Sequence, residues 1–108
     1  MADETKGTEQ VQLPGQLKLA IDDATALGAY SNFQVVGSNE TEFVLDFAYI
    51  PPQGRRGKVR SRIILSPKHA KALMGLLQQR VADHESRYGP ISLPRMMVQG
   101  EGSGRLPN

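Results

Sequence analysis

Hydrophobic and polar residues alternate in four stretches of the first 65 residues, which is typical of β-strands with one apolar face. The stretches cover residues 17–21, 29–37, 41–50 and 58–65. The third is the most regular, because Phe43, Leu45, Phe47 and Tyr49 follow one another at every second position and so share one face. Pro and Gly residues at 51–57 separate it from the fourth stretch. The pattern predicts a meander of three or four antiparallel strands.

The third and fourth stretches predict a hairpin with a defined register. Closing the chain over residues 51–57 sets Ile50 opposite Lys58, Ala48 opposite Arg60, Asp46 opposite Arg62 and Val44 opposite Ile64. This register also places Val59, Ile63 and Leu65 on the aromatic face. A shift by one residue would move every side chain to the wrong face.

A long amphipathic helix is predicted over residues 67–88. Ser66 has the side chain of an N-cap and Pro67 suits the first helical position. Gly89 and Pro90 end the pattern. The apolar positions recur at intervals of three and four, at Ala70, Leu73, Leu77, Val81, His84 and Tyr88. At 1.5 Å per residue the helix is about 33 Å long and should overhang strands of about 20 Å.

These elements predict an α+β fold. We expect an antiparallel three- to four-stranded meander sheet followed by one long C-terminal helix packed on its aromatic face. Residues 16–91 are predicted to form this single domain, residues 1–15 a disordered tail and residues 92–108 a flexible tail, because both ends lack periodicity.

Composition narrows the function classes. The chain has no Cys, which excludes thiolate metal sites, disulfides and a Cys nucleophile. Its two His residues are fifteen positions apart, so no zinc site is expected. Neither a signal peptide nor a membrane span is recognisable, and we expect a cytoplasmic protein. No catalytic grouping, cofactor or small-molecule substrate is predicted, which favours a protein that is not an enzyme.

Charge is distributed unevenly along the chain. Residues 1–54 carry two basic and eight acidic side chains, whereas residues 55–108 carry eleven basic and three acidic ones. Such a basic segment can bind the phosphates of nucleic acid or an acidic protein, although it can also be a solvated face rich in ion pairs. The candidate polyanion-binding residues are Arg55, Arg56, Lys58, Arg60, Lys68, His69 and Lys71. For His69 the structural alternative is packing beside Ser66.

Self-association is expected because the core is small. Only 6% of residues are aromatic, and the overhanging end of the helix needs a partner. Gly75 lowers helix stability and, with Ala72 and Ala82, would allow close approach of a second helix. The candidate oligomer interface comprises Leu73, Gly75, Leu77, Val81, His84 and Tyr88.

Four segments carry a resemblance to a known family. They are Asn32-Phe33, Glu42-Phe43-Val44-Leu45-Asp46-Phe47, Leu65-Ser66-Pro67-Lys68-His69-Ala70-Lys71 and Tyr88-Gly89-Pro90-Ile91. The region 29–91 resembles a family of small bacterial and archaeal proteins known as a domain of unknown function, with Tyr88 where the pattern usually has Phe. The resemblance implies a small soluble domain and no established activity. The order of elements is also similar to that of the export chaperone SecB.

Three functions follow as hypotheses. The first is a non-enzymatic interaction or assembly module that acts as a homodimer or larger homo-oligomer. The second is a nucleic-acid-binding protein that uses the basic hairpin 55–62. The third is a chaperone-like surface that binds unfolded chains, as SecB does.

Overall fold

A computed structural model describes residues 8–12 and 15–93. Within this range the chain divides into two compact units; the first ends at Tyr30 and the second begins at Ser31. The predicted single domain over residues 16–91 included parts of both. The predicted flexible tail at 92–108 lies almost wholly outside the described residues.

The first unit is a two-stranded antiparallel ribbon with a short helix. β1 (Thr8–Gln12) pairs with β2 (Lys18–Asp22), so that Thr8 lies opposite Asp22. The prediction that residues 1–15 are disordered is therefore wrong for residues 8–12. The polar sequence of β1 gave no alternating pattern from which to predict a strand. Backbone pairing with β2 does not require such a pattern. α1 (Asp23–Ala26) follows, and the Asp22 carboxylate caps it by accepting from the Thr25 N–H at 2.7 Å.

The second unit begins with a three-stranded antiparallel meander. β3 (Phe33–Ser38), β4 (Phe43–Tyr49) and β5 (Lys58–Leu65) lie in that order, with β4 in the centre. Together with the helix that follows, this confirms the predicted α+β class. Because β2 pairs with β1, the meander of the second unit has three strands.

The sheet begins later than the alternation suggested, since residues 29–32 precede β3. Before β3, the side chain of Asn32 makes the hydrogen bonds with Ile50 that the backbone of a paired strand would make. Its side-chain amide donates to the Ile50 carbonyl and accepts from the Ile50 N–H, both at 2.9 Å. The Ser31 hydroxyl donates to the Ala48 carbonyl at 3.0 Å. The Asn32 side chain thus satisfies both backbone groups of Ile50, while the Ala48 carbonyl also accepts from the Asn32 N–H at 3.0 Å.

The β4–β5 register is confirmed in its first half and wrong in its second. Asp46 lies opposite Arg62 and Val44 opposite Ile64, as predicted. A β-bulge then intervenes, so that Ala48 pairs with Val59 and Tyr49 with Lys58, and Arg60 becomes the extra residue. The bulge moves Val59 from the predicted aromatic face to the opposite one. It also places Lys58 beside Tyr49, on the aromatic face.

α2 (Pro67–Tyr88) has the predicted bounds. Ser66 is its N-cap, and the Ser66 hydroxyl accepts from the His69 N–H at 3.2 Å. Gly89 ends the helix with φ of 97° and ψ of 169°, a conformation that only glycine adopts readily. Its N–H donates to the Glu85 carbonyl at 2.9 Å.

The packing of α2 differs from the prediction. No residue of α2 is buried, and its half-buried apolar residues are Ala70 and Leu73, both within the first two turns. In residues 15–93 only Gly37 and Ala48 are buried. The helix touches β5 near its start and then leaves the sheet, so the prediction that it packs across the aromatic face is wrong. A single residue, Ser66, joins β5 to α2 and leaves little chain for the helix to fold back.

Candidate functional site

The largest candidate surface is one side of α2. We define the α2 stripe as Leu73, Met74, Leu77, Val81, His84 and Tyr88. From Met74 onward these residues recur every three or four positions, and Leu73 lies four positions before Leu77, so they share one side of the helix. Tyr88 is 72% exposed, Met74 60%, Leu77 56% and Val81 44%. An apolar strip of this length on the described part of the chain is typical of a surface that contacts another protein.

Gly75 does not belong to this surface. It is two residues from Leu77, which places it about 160° away around the helix at 100° per residue. The predicted oligomer interface grouped Gly75 with Leu77 and Val81, but Gly75 does not share their side of the helix. A Cβ at Gly75 would meet no atom within 4 Å, which agrees with a position on the open side of the helix.

The aromatic face of the sheet is a second uncovered surface. Strand pairing places Val36 and Ile63 on either side of Leu45 on this face. Val36 is 41% exposed and Ile63 is 44% exposed, whereas Phe43 and Phe47 on the central strand are half-buried. Burial of the central strand therefore comes from its neighbours in the sheet, and no layer covers this face among the described residues.

Both histidines have local partners. The Nδ1 atom of His69 lies 3.1 Å from the Ser66 hydroxyl, as the structural alternative for His69 required. The ring of His84 lies 4.8 Å from that of Tyr88, with the ring planes tilted by 52°. Within residues 8–12 and 15–93, no three His, Asp or Glu side chains group in a way that could hold a metal ion. The two imidazoles thus act in a helix cap and in a ring contact.

The seven candidate polyanion-binding residues fall into two separate groups. Arg55, Arg56, Lys58 and Arg60 lie in the 51–57 loop and the start of β5, and we call them the basic loop. Lys68, His69 and Lys71 lie at the start of α2, beyond the other end of β5. At about 3.3 Å per residue, β5 separates the groups by roughly 23 Å. The structure therefore does not bring the seven residues into one site.

The basic loop is exposed and has no acidic partner in the described part of the chain. Gly57 allows the loop to close tightly, since a Cβ there would lie 2.8 Å from Cγ1 of Ile50. The bulge at Arg60 interrupts the strict alternation of side chains along β5. The bulge also puts Lys58 on the aromatic face, whereas the predicted register put it on the opposite face.

Arg62 is paired and does not belong to the basic loop. Its Nε and Nη2 atoms donate to the two carboxylate oxygens of Asp46 at 2.7 and 2.9 Å. These hydrogen bonds hold the pKa of Asp46 below its usual value, and they raise the pKa of Arg62. Part of the positive charge of β5 is thus offset within the sheet, as the sequence indicated.

Sequence reasoning missed two charged residues beside the α2 stripe. Arg80 and Glu85 lie on opposite flanks of it, about 60° and 80° from Leu77. Glu85 accepts from the Ile91 N–H through Oε2 at 2.9 Å, whereas Arg80 makes no ion pair with a described residue. The heptad spacing of the apolar residues is the signal that would have identified them.

Comparison with known proteins identifies a family and no characterised relative. A family model described as "Protein of unknown function (DUF3467)" matches residues 1–93. Neither curated proteins nor solved structures gave a match. In the described residues, no helix is both long enough and apolar enough to cross a membrane.

Proposed function

The chain belongs to this family of proteins of unknown function. From the surface of the chain, we propose that the protein is a non-enzymatic assembly module that acts as a homo-oligomer. The exposure of the α2 stripe is the observation that carries the proposal. Beyond Leu73 this strip lies in water, whereas helices in proteins take most of their stability from packing of such an apolar face.

The energetics of folding support the same conclusion. Ordering each residue costs about 1–2 kcal/mol of backbone entropy, which burial of apolar surface must offset. In the second unit, Gly37 and Ala48 are the only buried residues among those described. Because the strand residues are mostly half-buried and the helix residues mostly exposed, one chain alone does not bury enough apolar surface to offset the entropy cost. Association with further copies supplies the missing burial.

The chemistry of the titratable residues supports a non-enzymatic role. His69 takes part in the cap of α2, and His84 packs against Tyr88. Asp46 is engaged by both donor atoms of Arg62. Each of these groups thus has a partner that accounts for its position by structure alone.

The oligomeric state of the full chain tests the proposal. Light scattering coupled to size exclusion, over about 1–100 µM, should give a mass at least twice the 11.8 kDa of the chain. Circular dichroism on the same samples reports whether α2 remains helical as the protein is diluted. A folded monomer throughout this range would rule the proposal out.

A second candidate function, polyanion binding, rests on the basic loop. We propose that Arg55, Arg56, Lys58 and Arg60 contact the phosphates of a nucleic acid. Four exposed cations without acidic partners in the described residues are a suitable surface for this. Four phosphate contacts would give a slope of about −3 to −4 in log affinity against log salt for duplex DNA.

Matched charge removals distinguish this candidate from non-specific attraction. Replacing Arg55 and Arg56 with Ala removes two positive charges at the basic loop, whereas replacing Lys68 and Lys71 with Ala removes two at the start of α2. Only the first pair should weaken duplex DNA binding in a salt series and reduce the slope by about two. Equal effects of the two pairs, or no binding by the native chain at low salt, would argue against a binding site at the loop.

A further inference from the structure

We propose that α2 pairs with α2 of a second copy as a parallel, in-register, two-stranded coiled coil. In this arrangement Arg80 of each chain lies beside Glu85 of the other. The inference rests on the homo-oligomer proposed above and specifies which surface joins the copies, in which orientation.

The heptad spacing of the α2 stripe is the first support. Met74, Val81 and Tyr88 are seven residues apart, and Leu77 and His84 follow the first two of them by three. This is the a/d repeat of a coiled coil, continued over two heptads from Met74 to Tyr88. A β-branched residue at an a position with Leu at a d position favours two parallel strands, and Val81 and Leu77 occupy these positions.

The flanking charges select the parallel orientation. In a parallel pair, a residue at position g meets the residue five positions later, at e, on the other helix. Arg80 occupies g and Glu85 occupies e, so the pair is formed twice by symmetry. In an antiparallel pair, g positions face each other, which would set Arg80 and Arg87 of the two copies together. Like charges in this position oppose association.

The contacts of these two residues leave them available for the pairing. Glu85 uses Oε2 for the Ile91 N–H, and its carboxylate can accept further hydrogen bonds. Arg80 is exposed and has no acidic partner in the described part of the chain. The opposite side of the helix, with Gly75 and Gln79, carries no apolar strip and stays in water.

Single cysteines test the orientation directly, because the native chain has none. Met74→Cys and Tyr88→Cys place thiols at two a positions about 21 Å apart along the helix. In the proposed dimer each thiol lies opposite the equivalent thiol of the second chain, at a distance that a disulfide can span. With oxidised glutathione as the oxidant, both variants should convert to covalent dimers. Gln79→Cys, on the other side of the helix, is the control that should not.

The other outcomes separate this inference from the proposed function. A dimer by light scattering in which neither variant cross-links would overturn the parallel, in-register arrangement and leave the oligomer intact. Cross-linking of only one variant would overturn the in-register pairing of the two helices. A monomer by light scattering would overturn both proposals.

Charge exchange gives an independent measurement. Arg80→Glu and Glu85→Arg should each weaken the dimer by about fivefold at low salt, in line with exposed ion pairs. The double variant restores opposite charges but not the hydrogen bond from the Ile91 N–H, so it should dimerise more tightly than either single variant. A double variant as weak as the single ones would contradict the pairing of Arg80 with Glu85.

Discussion

Replacing Leu77 with Ala should weaken self-association strongly, and the structure sets the magnitude. Leu77 lies at the centre of the α2 stripe and is 56% exposed in the single chain. Burying a whole Leu side chain is worth roughly 1.5–3 kcal/mol, so covering the exposed part is worth about 1 kcal/mol per chain. A symmetric dimer contains two copies, which makes about 2 kcal/mol, or roughly 30-fold in the dissociation constant. Any cavity left in the interface would increase the effect.

Leu76→Ala is the matched control for this measurement. Leu76 is 62% exposed, loses the same atoms on substitution and has the same helix propensity, but lies about 100° away around the helix. Sedimentation equilibrium should show the loss for Leu77→Ala and less than a threefold change for Leu76→Ala. Equal dissociation constants for the two variants would refute the assignment of the interface to the α2 stripe.

Three further predictions concern residues away from the stripe. Gly75→Ala should raise the free energy of unfolding by about 1 kcal/mol in thermal denaturation, because the added methyl meets no atom; a lower melting temperature would place Gly75 in a contact. The pKa of Asp46, followed by NMR, should lie below the usual carboxyl value and rise in Arg62→Gln, and an unchanged titration would contradict the hydrogen-bonded pair. Because the pKa is lowered in the folded state, the pair stabilises the fold at any pH above the ordinary carboxyl pKa. This stabilisation is lost as the pH falls through the lowered pKa. Asn32→Ala should cost about 2 kcal/mol in urea unfolding, since it removes two hydrogen bonds to Ile50, and a loss below about 0.5 kcal/mol would show that water replaces them.

Local sequence signals were sufficient where structure depends on neighbours along the chain. The cap at Ser66, the stop at Gly89 and the intervals of three and four predicted the bounds of α2 without error. β5 was likewise predicted at its observed bounds, and the opposition of Asp46 and Arg62 followed from alternation. These features arise from backbone geometry and side-chain period, which a short segment carries by itself.

Alternation failed where the chain departs from ideal geometry. The bulge at Arg60 inserts one residue and reverses the faces of Lys58 and Val59, although the residue types are those of a regular strand. The strand at residues 8–12 is polar and forms because β2 offers its backbone groups. Neither feature has a local signature, since each depends on the strand that lies alongside.

The sequence by itself determined the number and kind of elements in residues 31–93, the register of half a hairpin and an apolar strip on a long helix. Only the tertiary structure showed that this strip does not pack on the sheet of its own chain. Periodicity shows that a helix has an apolar face to cover, but not which surface covers it. The same limit applies to the basic residues, whose separation into two groups follows from the length of β5 between them. Periodicity is a property of a segment, whereas coverage is a property of the three-dimensional arrangement of several segments.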